Sequence, residues 1–184
     1  MNLNAVETSR DNSSRIESWL ATQDVDSRID WALRHLPGPH VLSSSFGAQA
    51  AAMLHLLTQH QGDIPVVLID TGYLFAETYR FADALRERLD LNLHVVRPQL
   101  SPAWLEARHG RLWEQGASGL ERYNQLTKVE PMQRTLDELG AATWFAGLRR
   151  NQSASRAQTP LLEYRHGRWK VHPIADWSDH DVAQ

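Results

Sequence analysis

Short apolar runs and longer amphipathic stretches take turns along this chain, and their periods predict which segments are strands and which are helices. His40-Val41-Leu42-Ser43 reads as a short strand, and Leu93-His94-Val95-Val96-Arg97 as another. Between them, Pro65-Val66-Val67-Leu68-Ile69-Asp70 is a continuous apolar run of the kind buried on both faces of a parallel sheet. Thr143-Trp144-Phe145-Ala146-Gly147-Leu148 gives a fourth strand. Residues 169–174 give a later one, pairing with Leu161-Leu162-Glu163-Tyr164 across a His166-Gly167 turn.

Helical spacing fills the intervals. Ser13 and Ser14 open a short helix through Trp19 and Leu20. A second spans residues 27–36, with Ile29, Leu33 and Leu36 on one face and Pro37-Gly38-Pro39 as its stop. Further helices are predicted over residues 48–59, 76–89 and 102–114, and over 131–139, where Pro131 takes the first position and Gly140 the end. Residues 116–127 read as a loop. Strands alternating with helices imply right-handed crossovers, hence an α/β fold: an open, mostly parallel twisted sheet in three layers, with helices on both faces. The chain divides into an N-terminal helical segment, residues 1–39, and a core over residues 40–184. Ser178 reads as a further helix N-cap, but only about one and a half turns remain before Gln184, too few to stand alone. A truncated protein is the expectation.

Composition narrows the function. A chain of 184 residues, 42% hydrophobic and 22% charged, fits one globular domain. Its net charge of −3 argues against a nucleic-acid partner or an acidic membrane surface, so an anionic ligand needs a local basic cluster. The polar N-terminus lacks a secretory h-region, and no apolar run could span a bilayer, so a cytoplasmic protein is expected. Zero cysteine removes disulfides, thiolate metal sites, iron–sulfur clusters and thiol nucleophiles. The histidines form no HExxH-like pair, so no metal is expected.

Four segments carry candidate chemistry. Ser43-Ser44-Ser45-Phe46-Gly47 lies between a strand and a helix, where hydroxyls, a close backbone and helix N-terminal amides make an anion site. Asp70, Thr71 and Gly72 end the second strand, where open parallel sheets bind ligands; a ribose contact and an ordinary cap and turn fit equally well. Gly147, Arg149, Arg150, Ser153, Ser155 and Arg156 follow the fourth strand, and guanidinium forks there suit phosphate or sulfate. Lys128 precedes the proline-initiated helix and could present an ammonium to an anion. Trp104, Trp113, Trp144 and Trp177 are read mostly as packing residues.

Together the strings SSSFGAQ, VVLIDTGYLFAETYRF, SPAWLEARHGRLWEQG, ERYNQLTKVEPM, TWFAGLRRNQSASR and VHPIADWS resemble the phosphoadenylyl-sulfate (PAPS) reductases. That family belongs to the PP-loop group, with the adenine nucleotide alpha-hydrolase-like fold. The resemblance implies that Ser43, Ser44, Ser45, Phe46 and Gly47 form a modified PP-loop cradling phosphate, and that Asp70, Thr71 and Gly72 line the adenosine site. It also implies a basic ring of Lys128, Arg149, Arg150 and Arg156 beside Gly147, around the phosphosulfate and ribose phosphate. The implied reaction reduces PAPS to sulfite and adenosine 3′,5′-bisphosphate with electrons from thioredoxin or glutaredoxin, and such enzymes are often homodimers.

In that family a cysteine in a C-terminal Glu-Cys-Gly-Leu-His segment attacks sulfur. This chain has no cysteine, so the nucleophile is expected beyond Gln184, and the chain by itself is expected to bind without turnover. Iron–sulfur adenylyl-sulfate (APS) reductases carry a cysteine pair before the Lys-Val-x-Pro string. Here Leu126-Thr127 stand there, so no cluster is expected and the cofactor-free PAPS branch is favoured. The rivals are an APS reductase, a PP-loop ATP pyrophosphatase or adenylyltransferase, and a non-catalytic nucleotide-binding module. ATP-cleaving loops read Ser-Gly-Gly-x-Asp-Ser, whereas Ala48-Gln49 supplies no acid to hold magnesium.

Overall fold

The computed structural model describes residues 12–47 and 49–183. Its elements run α1 (Ser13–Leu20), α2 (Val25–His35), β1 (His40–Ser43), α3 (Ala50–His60), β2 (Val66–Ile69), α4 (Ala76–Leu89) and β3 (Leu93–Val96). They continue with α5 (Pro102–His109), α6 (Gly116–Asn124), α7 (Glu130–Glu138), β4 (Thr143–Ala146), β5 (Leu162–Arg165), β6 (Arg168–Val171) and α8 (Asp179–Ala183). The predicted start of the third helix at Ala48 lies outside the described residues, as do residues 1–11 and Gln184.

One six-stranded sheet orders the strands β3-β2-β1-β4-β6-β5. Every pairing is parallel except that of β5 with β6, the expected hairpin, in register Leu162↔Val171 and Tyr164↔Trp169. The two-residue period of each strand splits the core. Leu42, Val66, Leu68, Phe145, Trp169 and Val171 face one side and pack with Ile16, Leu20, Ile29, Ala32 and Leu54 of α1, α2 and α3. Val41 and Val67 face the other side, beneath Leu136 of α7, with Ile69, Val96 and Trp144 packed around them. The N-terminal helices therefore share the main core. Arg28 of α2 ties them to the end of the chain, reaching both carboxylate oxygens of Asp176 at 2.7 Å.

The chain corrects two expectations. Residues 116–127 are not a loop: α6 is followed by one π-helical turn, Gln125–Val129, which runs directly into α7. Gly119 misleads as a loop signal, since it sits inside α6 where an added Cβ would lie 2.3 Å from the Leu112 carbonyl. The helix predicted over 102–114 stops at His109, because Gly110 adopts φ 68°, and a separate 3-10 turn covers Leu112–Glu114. Pro131 sits in the first turn of α7, where its missing N–H costs little.

Candidate functional site

Strand order reverses between β1 and β4: the chain winds outward from β1 to β3, returns, and places β4 on β1's other side. In open parallel sheets the crevice beyond the strand ends at such a reversal is where ligands bind. A cleft of about 1930 Å³ opens there, and the turns leaving β1 and β4 both line it.

The turn after β1 is built to be rigid. Phe46 adopts φ 50°, an expensive conformation for a bulky residue. Its side chain offsets that cost by inserting fully into the core, 1% exposed. The Phe46 amide donates to Ser44 Oγ at 3.1 Å, and the Ser44 amide to the Val67 carbonyl at 3.0 Å. Ser43, Ser44, Ser45 and Gly47 line the cleft. The α3 N-terminus follows, and among the described residues no side chain caps it. Its first amides therefore present a partial positive charge at the cleft edge formed by Gln49 and Ala50.

Across the cleft, Gly147 closes β4 against Met53, where a Cβ would lie 3.1 Å from the Met53 Cβ. Lys128 enters from the π turn, its Nζ 5.6 Å from the centre of the Tyr123 ring, while Thr127 is buried with its hydroxyl donating to the Tyr123 carbonyl at 2.7 Å. Arg156 also lines the cleft and donates to the Gln152 side chain.

The other arginines of that run point elsewhere. Arg149 is buried, 2% exposed, with Nη1 2.9 Å from Asp179 of α8 and Nη2 donating to Gln49. Arg150 donates through Nε to the Thr159 carbonyl at 2.8 Å. Neither is among the residues lining the cleft.

After β2, Thr71 lines the cleft, but Asp70 and Gly72 lie behind it. Asp70 accepts from the Gly72 amide at 2.9 Å, the Tyr79 hydroxyl at 2.6 Å and Arg97 Nε at 3.0 Å. Burial would raise its carboxyl, yet these bonds from Tyr79, Gly72 and Arg97 hold it below the usual carboxylate range. Gly72 takes φ 79° with Pro102 packed where a side chain would project. Both residues thus shape the adjoining wall. Tyr73 lines the cleft and donates to Glu106 at 2.7 Å; burial first, then Glu106, pushes its hydroxyl up to about 12.

Residues outside the four sequence segments complete the cleft. On the sheet face that α7 covers over β1 and β2, Trp144 and Lys170 form part of the cleft wall. Trp144 Nε1 donates to Ser43 Oγ at 2.7 Å, and Lys170 Nζ lies 4.4 Å from the centre of the Trp144 ring. Burial pulls the Lys170 ammonium below its usual range; Glu163 opposes the shift, while Arg165 and Arg156 add to it. Arg134, Arg165 and Arg168 add further positive charge, partly balanced by Glu130, Asp137 and Glu138 on α7. A signal for Lys170 existed: it alternates with buried Trp169 and Val171, so the strand period alone sends it to the opposite face. Among the described residues, no helix is long and apolar enough to cross a membrane.

Comparison with known proteins places this geometry in a family. The model of the phosphoadenosine phosphosulfate reductase domain matches residues 39–184. A phosphoadenosine 5′-phosphosulfate reductase of Xanthomonas campestris pv. campestris is 62% identical over 176 residues, which cover 96% of this chain and 73% of the relative. Among solved structures, a PAPS reductase from Candida auris in complex with phosphate aligns with TM-score 0.79 at 24% identity, over 98% of this chain and 86% of that one. An FMN adenylyltransferase of Candida glabrata aligns with TM-score 0.63 at 12% identity, over 97% of this chain and 57% of that one. At those identities the two structures speak for the fold alone, which is that of the expected nucleotide-binding α/β group. The extended match of the family model, the close relative and the serine-rich turn at the sheet's reversal point agree: the chain belongs to the phosphoadenosine phosphosulfate reductase family.

Proposed function

We propose that the cleft binds 3′-phosphoadenylyl sulfate and that the chain serves its reduction to sulfite and adenosine 3′,5′-bisphosphate. The observation that carries this reading is the meeting, at one sheet edge, of the serine turn, the uncapped α3 N-terminus, Gly147, Lys128 and Arg156. Hydroxyls, amides and cations converge on one place, and although Arg156 already donates to Gln152, an oxyanion there would give them a shared charged acceptor.

The chemistry divides into what these residues do and what must come from outside them. A thiolate attacks the sulfur of the phosphosulfate, the S–O bond to phosphate breaks, and the bisphosphate leaves with the electron pair. Lys128 and Arg156 stabilise the charge that grows on that leaving group. A second thiol then attacks the S-sulfonated sulfur, giving a disulfide and releasing sulfite. The 184 residues hold no cysteine, so both thiols come from elsewhere, and the chain alone binds substrate without turning it over. Thioredoxin or glutaredoxin is the proposed electron donor, in the cytoplasm. The reading uses no iron–sulfur cluster, as Leu126 and Thr127 offer no ligand where a cysteine pair would stand.

Calorimetric titration of the chain with adenosine 3′,5′-bisphosphate, 5′-AMP and magnesium-ATP tests the reading. Preference for the bisphosphate supports it. Equal binding of AMP and bisphosphate points to adenylyl sulfate as substrate, and preference for magnesium-ATP points to a nucleotide-cleaving or adenylyl-transferring enzyme.

A further inference from the structure

Trp144 and Ser43 sit on neighbouring parallel strands, on the same face of the sheet, with Trp144 opposite Val41 and Ser43 opposite Ala146. Their bond of 2.7 Å has a fixed direction, because an indole N–H donates and cannot accept. It occupies a lone pair on Ser43 Oγ and leaves the hydroxyl's own proton to be given away. Among the described residues, nothing accepts that proton, and Ser43 lines the cleft.

The ring that donates is itself held. Lys170 lies opposite Trp144 in the β4–β6 register and places its ammonium 4.4 Å from the ring centre. A half-buried ammonium over an indole face is a favourable contact, so the ring plane and the direction of its N–H are both set by β6. Three adjacent strands thus contribute one member each, Lys170, Trp144 and Ser43, in line toward the serine turn.

We propose that Trp144 is a positioning residue: clamped by Lys170, it fixes the Ser43 hydroxyl as an outward donor to the oxyanion held at the serine turn. This rests on the proposed function only in requiring a 5′-phosphorylated adenosine ligand, not in which one. Without the indole N–H, the hydroxyl is free to turn, and some of its orientations aim a lone pair at the anion.

The test is a double-mutant cycle read by calorimetry with both 5′-AMP and adenosine 3′,5′-bisphosphate, using wild type, Trp144→Phe, Ser43→Ala and the double variant. Phenylalanine keeps an aromatic face for Lys170 and removes the donor. Ser43→Ala should weaken binding roughly tenfold, as a lost hydrogen bond to a charged group does, and Trp144→Phe about fivefold. The double variant should bind no more weakly than Ser43→Ala, because Trp144 acts through that hydroxyl. Wild-type affinity in Trp144→Phe, or losses that multiply in the double variant, would overturn the proposal and leave Trp144 as packing. Should Trp144→Phe fail to fold, the indole N–H proton resonance of Trp144 decides. It should move on nucleotide addition in wild type and stay still in Ser43→Ala; no movement in wild type, or equal movement in both, overturns the proposal. Equal affinity of the wild type for the two nucleotides would defeat the PAPS reading while leaving this coupling measurable.

Discussion

Acidification should unfold this protein partly through one residue, His172. Its side chain is 1% exposed; Nδ1 lies 2.8 Å from the Pro160 carbonyl, and Nε2 is buried without a hydrogen-bond partner among the described residues. Burial, opposed by the Pro160 contact and aided by Lys170, pulls its pKa from 6.5 to about 4. The imidazole is therefore neutral when folded, and the unfolded chain takes up its proton first as pH falls. Stability is then present above the unfolded pKa and lost on descending from about 6.5 toward 4. The 2.5-unit difference at 1.36 kcal/mol each caps the effect near 3 kcal/mol, and about 2 kcal/mol of it falls between pH 7 and 5. Urea unfolding at several pH values reads this directly, with His172→Asn as control, since asparagine keeps a donor toward Pro160 but does not titrate. The wild type should lose about 2 kcal/mol more than the variant across that interval. Parallel stability curves for the two proteins would refute the reasoning.

Three other predictions concern packing and charge. Asp176→Ala should destabilise by about 1–2 kcal/mol in urea unfolding, because the buried Arg28 guanidinium loses its carboxylate partner and keeps the Leu20 and Pro173 carbonyls. Gly119→Ala should cost about 2–3 kcal/mol, since its Cβ would meet the Leu112 carbonyl at 2.3 Å and α6 must shift; an unchanged midpoint would contradict that packing. Lys128→Ala and Arg156→Ala should each weaken adenosine 3′,5′-bisphosphate binding roughly tenfold at low salt, with the unfolding midpoint unmoved.

Much of the architecture was legible because buried parallel strands leave a plain mark. Val66-Val67-Leu68-Ile69 is apolar throughout since both its faces are covered, and helix α4 was read with its observed bounds. Residues 116–127 carry no plain helical signal because a glycine that permits close helix packing looks like one that breaks a helix, and a π turn has no period of its own to detect. The candidate site was half legible. Strand ends located the serine turn, but the sequence carried no direction for side chains inside the irregular run after β4. Arg149, Arg150 and Arg156 are near neighbours in the chain, yet they face Asp179, Thr159 and the cleft respectively. Asp70 stood equally well as cap or ligand contact, and its three partners give it a place in the wall. Trp144 reads from the sequence as a packing residue, and strand alternation gives Lys170 only a face; their pairing spans two strands 26 residues apart in number, which no local pattern encodes.

The proposed function depends on the location of the binding site, and hydrogen exchange tests it most directly. Amide exchange measured with and without adenosine 3′,5′-bisphosphate should show protection concentrated at residues 43–47, 71–73 and 147–153, the turns that leave β1, β2 and β4. Protection confined to other segments, or none at a saturating concentration, would contradict the account.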